Sequence, residues 1–227
     1  MPNNVSFVFL DRPQKANALD SASLDRLRQD FESLQKDEDL RVVVLAGRGK
    51  TFCGGADTQE LKSLNASTAG AFVEKVHHVC QAIRDLPVPV VAQLHGAVIG
   101  AGLEIAAACD LRVAAEGTKF AMPEVRLAIP SVVEAALLPR LMGSGRAAWL
   151  VLTGEAIDAR RALEWGLVEE VYPDVEVGLA LLLKNLLAAD REALRMQKQL
   201  LQLWDEASLA TSVAASIGRF TQIHAPR

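Results

Sequence analysis

Glu104 in "GAGLEIAAAC" (100–109) and Glu124 in "FAMPEVRLAIP" (120–130) are acids set in otherwise apolar surroundings, 20 residues apart. Burial lifts a carboxyl pKa toward neutrality, where the group can both accept and deliver a proton. Two such acids facing one space would hold a water and move protons at a carbon next to a carbonyl. Each also has a plainer reading. Glu104 is placed as a helix-start acid stabilised by the dipole, and Glu124 as a capping or loop acid.

Beside the acids stand two glycine-rich turns. "GKTFCGGADTQEL" (49–61) follows the β-rich run "RVVVLAG", and "VIGAGLEIAAAC" (98–109) follows "VVAQLHG". Gly54 and Gly55 allow close backbone approach, and the amides from Ala56 onward are expected to open a helix. The second turn repeats this design through Gly100, Ala101 and Gly102, ahead of N–H groups that have no intrahelical partner. Either turn alone is an ordinary tight connection. Together they could direct two N–H donors at one oxygen, the construction of an oxyanion hole.

The elements that must position these groups follow from hydrophobic pattern. Strands are expected at 5–10, 41–47, 90–96 and 111–117, with helices at 20–36, 68–85 and from Ala101. Asp20 and Ser21 offer N-caps for the first helix, and "LPVPVV" stops the second before a strand. Beyond residue 130 the pattern is helical. Strands alternating with helices predict one layered α/β domain. The net charge of -4 argues against nucleic acid as the main partner. Cys53, Cys80 and Cys109 form no C-x-x-C pair, so they are read as reduced core thiols and no metal site is expected. The first residues lack the basic start and long apolar run of a signal peptide, and no apolar stretch reaches membrane-spanning length; no membrane association and a cytoplasmic location are expected.

"LDRPQKANAL" (10–19), "FCGGAD" (52–57), "HGAVIGAGLEIAAACDLRVA" (95–114), "FAMPEVRLAIP" and "LTGEAIDARRALEWGLVEEVYP" (152–173), in that order, resemble the crotonase superfamily of enoyl-CoA hydratases and isomerases. The resemblance implies a single domain over 1–227. A spiral of ββα repeats would fill about 1–130, and a helical C-terminal part, shorter than the family's, about 131–227. It implies an acyl-CoA thioester as substrate, no cofactor apart from the CoA the substrate carries, no metal, and trimers paired into hexamers. Carried over residue by residue, the N–H groups of Ala56 and Ala101 would form the oxyanion hole. Gly54, Gly55 and Asp57 would complete the substrate-binding turn, and Ala16 and Ala18 would line the CoA path. Glu104 and Glu124 match the two acids of the hydratase branch. The alternatives on this scaffold are a Δ3,Δ2-enoyl-CoA isomerase or acyl-CoA hydrolase working through Glu124, or a silent acyl-CoA binder.

Arg12, Lys15, Arg48, Lys50 and Lys62 are candidate partners for CoA phosphates, or ordinary solvated charges. Ala101, Ser131 and Glu134 stand where the family commonly has glycine. Glu134 is read either as a third acid near the site or as a first-turn acid of the following helix.

Overall fold

Valine-rich runs decide the centre of the molecule. The computed structural model describes residues 4–224. In it β2 (Val42–Gly47) is buried almost throughout and β3 (Val90–Leu94) entirely. Strands this apolar on both faces belong inside a parallel sheet covered on each side. That sheet runs β1 (Val5–Leu10), β2, β3, β5 (Leu111–Ala115), β8 (Glu170–Tyr172), and every neighbouring pair is parallel.

A second, smaller sheet lies alongside, formed by β4 (Ala97–Ile99), β6 (Lys119–Ala121) and β7 (Ile157–Asp158). Isolated bridges Leu19–Ala56 and Cys53–Val98 extend this second layer toward the first two repeats. Each strand from β1 to β3, and β5, is thus followed within a few residues by a short pairing in the second layer. The expected strand 90–96 stops at Leu94 for this reason. His95 and Ala97 turn their carbonyls to the amides of Phe52 and Cys53, at 2.9 and 3.0 Å.

Helices close the repeats. α1 (Ser21–Leu34) starts at a capping box, with the Asp20 carboxylate accepting from the Ser23 N–H, and packs on α3 (Ala69–Arg84). The short α2 (Thr58–Ser63) and α4 (Ala101–Ala108) follow the two glycine turns. The second half of the chain carries α5 (Leu138–Met142), α6 (Ser144–Thr153), α7 (Ala159–Trp165), α8 (Val175–Ala188), α9 (Arg191–Glu206) and α10 (Leu209–Ile223). The region expected to be helical also supplies β7 and β8, the latter completing the main sheet beside β5.

Two buried cations tie this second half down. The Arg112 guanidinium donates to the carbonyls of Leu167 and Cys109 and pairs with Glu169 at 2.5 Å, fixing β5 to the approach of β8. Lys198 of α9 donates to the carbonyls of Ile83 and Val88 and pairs with Asp110 at 2.8 Å. A buried ammonium persists only when its protons are satisfied in this way. The three cysteines are buried and unpaired, and burial pushes the Cys53 thiol up to about 12, so it stays a neutral packing group. Among the described residues no helix is long and apolar enough to cross a membrane.

Candidate active site

The first turn is set against the segment before α1. The Gly54 N–H donates to the Ala16 carbonyl, the Leu19 N–H to the Gly55 carbonyl and the Asp57 N–H to the Leu19 carbonyl, all at 2.8 Å. In this parallel bridge the groups on either side of Ala56 are spent on Leu19, which leaves the Ala56 N–H facing the other way. Ala56 precedes α2 and is not part of it. Asp57 is the N-cap, so the expected helix-start geometry begins one residue later.

The second turn repeats the logic. The Ile99 and Gly100 N–H groups donate to the carbonyls of Cys53 and Ala121, at 3.0 and 2.9 Å. Ala101 then opens α4, where a first-turn N–H has no intrahelical acceptor. The two turns touch: a Cβ built on Gly55 would lie 3.0 Å from the Ile99 carbonyl oxygen. Gly102 permits that approach from the helix side, since a Cβ there would meet the Cys53 Cβ at 2.5 Å.

Ala56, Ala101, Glu104 and Glu124 line one cavity of about 130 Å³. Glu104, in the first turn of α4, is 4% exposed. Burial, then the neighbouring charges of Glu124 and Glu134, push its carboxyl up to about 8 against the opposing Ala135 N–H. Glu124 opens a 3-10 turn, Glu124–Leu127, and its Oε2 accepts from the Ser131 hydroxyl at 3.0 Å. Gly100 lies directly beneath this carboxylate. A Cβ at Gly100 would collide with Glu124 Oε1, and its backbone (φ 52°, ψ -125°) suits glycine alone. Gly100→Ala is therefore expected to lower stability by about 1 to 3 kcal/mol, seen as a fall in Tm. It should also cut kcat about a hundredfold by displacing Glu124.

Glu134 lies in the first turn of a 3-10 helix, Val133–Leu137, as a first-turn acid would, is buried at 9% exposure, and does not line the cavity. Its Oε1 is 2.7 Å from His77 Nδ1 on α3. Val133 before it sits at φ 40°, a left-handed conformation that β-branched residues avoid.

Other expected site residues take structural roles. The Asp57 carboxylate caps α2 through the Gln59 N–H at 2.9 Å and pairs with Arg12 at 3.2 Å; the Gln59 amide above all, with Arg12, holds its carboxyl below the usual range against the opposing effect of burial. Arg12 pairs with Asp57 and, at 3.0 Å, with Asp20, and donates to the Ala18 carbonyl, so it holds the turn together. The Arg48 guanidinium stacks on Phe9 at 3.5 Å from the ring centre. Lys15, Lys50 and Lys62 are exposed.

Asn17 was not legible as a site-building residue. It is buried at φ 55°, its Nδ2 donates to the carbonyls of Arg48 and Thr51, and its Oδ1 accepts from the Arg12 N–H. The only signal was an asparagine beside small residues, a type that tolerates the left-handed region. A wider apolar cavity of about 670 Å³ adjoins the acid pocket and shares Leu61, Phe72, Val73, Leu127 and Ile129 with it.

Two glycine turns thus border one cavity with the buried Glu104 and the half-buried Glu124. The family model described as Enoyl-CoA hydratase/isomerase matches residues 1–226. The chain is 35% identical over 179 residues to the enoyl-CoA isomerase/hydratase fer4 of Mycosarcoma maydis, covering 74% of this chain and 65% of that protein. It is 32% identical over 214 residues to the short-chain-enoyl-CoA hydratase of Clostridium acetobutylicum, covering 92% and 82%. The crystal structure of enoyl-CoA hydratase from Bacillus anthracis superposes with a TM-score of 0.93 at 32% identity, covering 98% of this chain and 88% of that one. The chain belongs to the enoyl-CoA hydratase/isomerase family, and its fold is the crotonase fold. It spans 54 to 66% of the length of five of the curated relatives it matches.

Proposed function

We propose that the chain is an enoyl-CoA hydratase, adding water syn across the double bond of a trans-2-enoyl-CoA to give a 3-hydroxyacyl-CoA. The observation that carries this reading is the placement of Glu104 and Glu124 on the cavity lined by Ala56 and Ala101. The thioester oxygen accepts from the N–H groups of those two alanines. As water oxygen bonds to Cβ, the π electrons move toward the carbonyl, and the resulting enolate charge develops where the donors already point. Losing one such donor typically costs about 3 to 4 kcal/mol of barrier.

The water gives one proton to the acid pair, and the pair returns one proton to Cα. Near neutrality burial keeps a proton on Glu104, so the acid and base roles belong to the coupled pair. Hydroxyl and proton both come from water, so electrons balance without a redox cofactor. CoA is part of the substrate, and the exposed Lys15, Lys50 and Lys62 are candidate phosphate contacts. The apolar cavity beside the acids suits an uncharged acyl group. On α10, Leu209, Val213, Ile217 and Phe220 form an exposed apolar row at helical spacing, which supports assembly with further copies of the chain as trimers or hexamers.

A second reading, Δ3,Δ2-isomerisation by Glu124 alone, is favoured by the burial and proton of Glu104. The test is loss of the conjugated enoyl-thioester absorbance when protein is added to crotonyl-CoA. Loss with 3-hydroxybutyryl-CoA as product supports hydration. No loss, together with interconversion of 3-enoyl and 2-enoyl esters, would replace it with isomerisation.

A further inference from the structure

The two oxygens of Glu124 have different surroundings, and the segment that follows this residue is the cause. Glu124 opens its 3-10 turn, and its carbonyl accepts from the Ile129 N–H at 3.2 Å, so the chain turns back at once. Ala128 caps that turn in a left-handed conformation at φ 61°, and Val133 takes another at φ 40°. Such backbone persists in residues other than glycine only where the surroundings enforce it. Between these two points Pro130 fixes φ immediately before Ser131. The segment thus carries Ser131 back onto a side chain seven residues earlier, where its hydroxyl donates to Glu124 Oε2 at 3.0 Å. Oε1 stands over Gly100, in space that a Cβ would take. Among the described residues Oε1 accepts no hydrogen bond, and Gly100, Ala101 and Glu104 line the same cavity as Glu124.

We propose that Ser131 is a positioning residue: by holding Oε2 it leaves Oε1 as the oxygen through which Glu124 exchanges protons with water and Cα. This rests on the reading of Glu124 as a proton-transfer group of the hydratase site and deepens it. The last torsion of a glutamate is broad, so a free carboxylate interchanges its two oxygens readily. One hydroxyl from an enforced loop removes that freedom. Oε2 is occupied by the Ser131 hydroxyl, whereas Oε1 keeps its lone pairs for water and substrate. When Oε1 takes a proton, the bond electrons stay on the water oxygen that joins Cβ. When it gives one, they stay on Oε1 and the enolate carbon supplies the pair that binds the proton at Cα. Fixing the reacting oxygen in this way matters to rate, because small displacements of a catalytic group are costly.

The experiment compares Ser131→Ala and Ser131→Thr with the parent in three readouts: hydration of crotonyl-CoA, exchange of the α-hydrogen of butyryl-CoA in deuterium oxide, and the infrared carboxylate band of Glu124, assigned by its absence in Glu124→Gln. Ser131→Ala should lower kcat and the exchange rate about tenfold each, with KM within about twofold of the parent. The band should move, because one oxygen has lost its donor. Ser131→Thr keeps a hydroxyl on the same carbon and should restore most of the rate and the parent band. A role in loop packing alone would instead raise KM, since Leu127, Ile129 and Val132 of this segment line the cavity, and would leave the band in place. A parent-like kcat and band in Ser131→Ala, or loss of rate that threonine does not rescue, would overturn the proposal. Exchange involves no addition of water, so exchange that depends on Ser131 in a protein that does not hydrate would count against hydration and still support this role. A parent that neither hydrates nor exchanges would overturn both.

Discussion

Glu124→Gln is expected to lower kcat for hydration about a thousandfold while leaving KM close to the parent value. The amide has the carboxylate's shape and can keep the bond to Ser131, so the cavity and the two N–H donors should survive. What disappears is the ability to take or give a proton at the substrate. Because thioester binding rests on the amides and on apolar contact, ground-state affinity should persist. Steady-state absorbance with crotonyl-CoA measures both constants. A variant that keeps more than about a tenth of the parent rate would remove Glu124 from proton transfer.

Glu104→Gln should cost a similar factor in kcat and, unusually for an active-site change, stabilise the fold. Glu104 holds its proton to about pH 8 in the folded protein, against an ordinary value of 4.5. Between those values the native state binds more protons than the unfolded one. Raising the pH through that window therefore destabilises the parent. Glutamine does not titrate, so the variant escapes this loss. Its advantage should be near zero at pH 4, reach about 3 kcal/mol at pH 7, and level off above pH 8. Thermal melts at three pH values read it directly, and a difference independent of pH would contradict the assigned proton. Active sites commonly hold groups in such unfavourable states, and relieving one exchanges function for stability.

Much of the frame was legible because it rests on local pattern. The runs at 42–46 and 90–94 are too apolar for anything but central strands, and Gly54-Gly55 and Gly100-Ala101-Gly102 mark turns by backbone freedom alone. The two acids stood out because apolar neighbours imply burial, which holds for Glu104, whereas Glu124 is only half-buried. Partners supplied by distant segments were not legible. Arg12 looked like a free cation until the fold delivered Asp57 and Asp20 to it, and Lys198 gave no hint of the carbonyls of Ile83 and Val88. His77 reads as one residue on an amphipathic helix, and only the packing of α3 against the 133–137 turn brings Glu134 to it. The pairing of β8 with β5 escaped for the same reason, since a three-residue strand carries little periodicity of its own.

The central claim is that this site adds one water across the enoyl double bond. Incubating crotonyl-CoA with the protein in water enriched in both oxygen-18 and deuterium, then analysing the product by mass spectrometry and NMR, tests it most directly. Syn hydration should place heavy oxygen at Cβ and one deuterium at Cα, delivered to the same face, with the thioester intact. Deuterium without heavy oxygen at Cβ, or heavy oxygen in a released carboxylate, would contradict it.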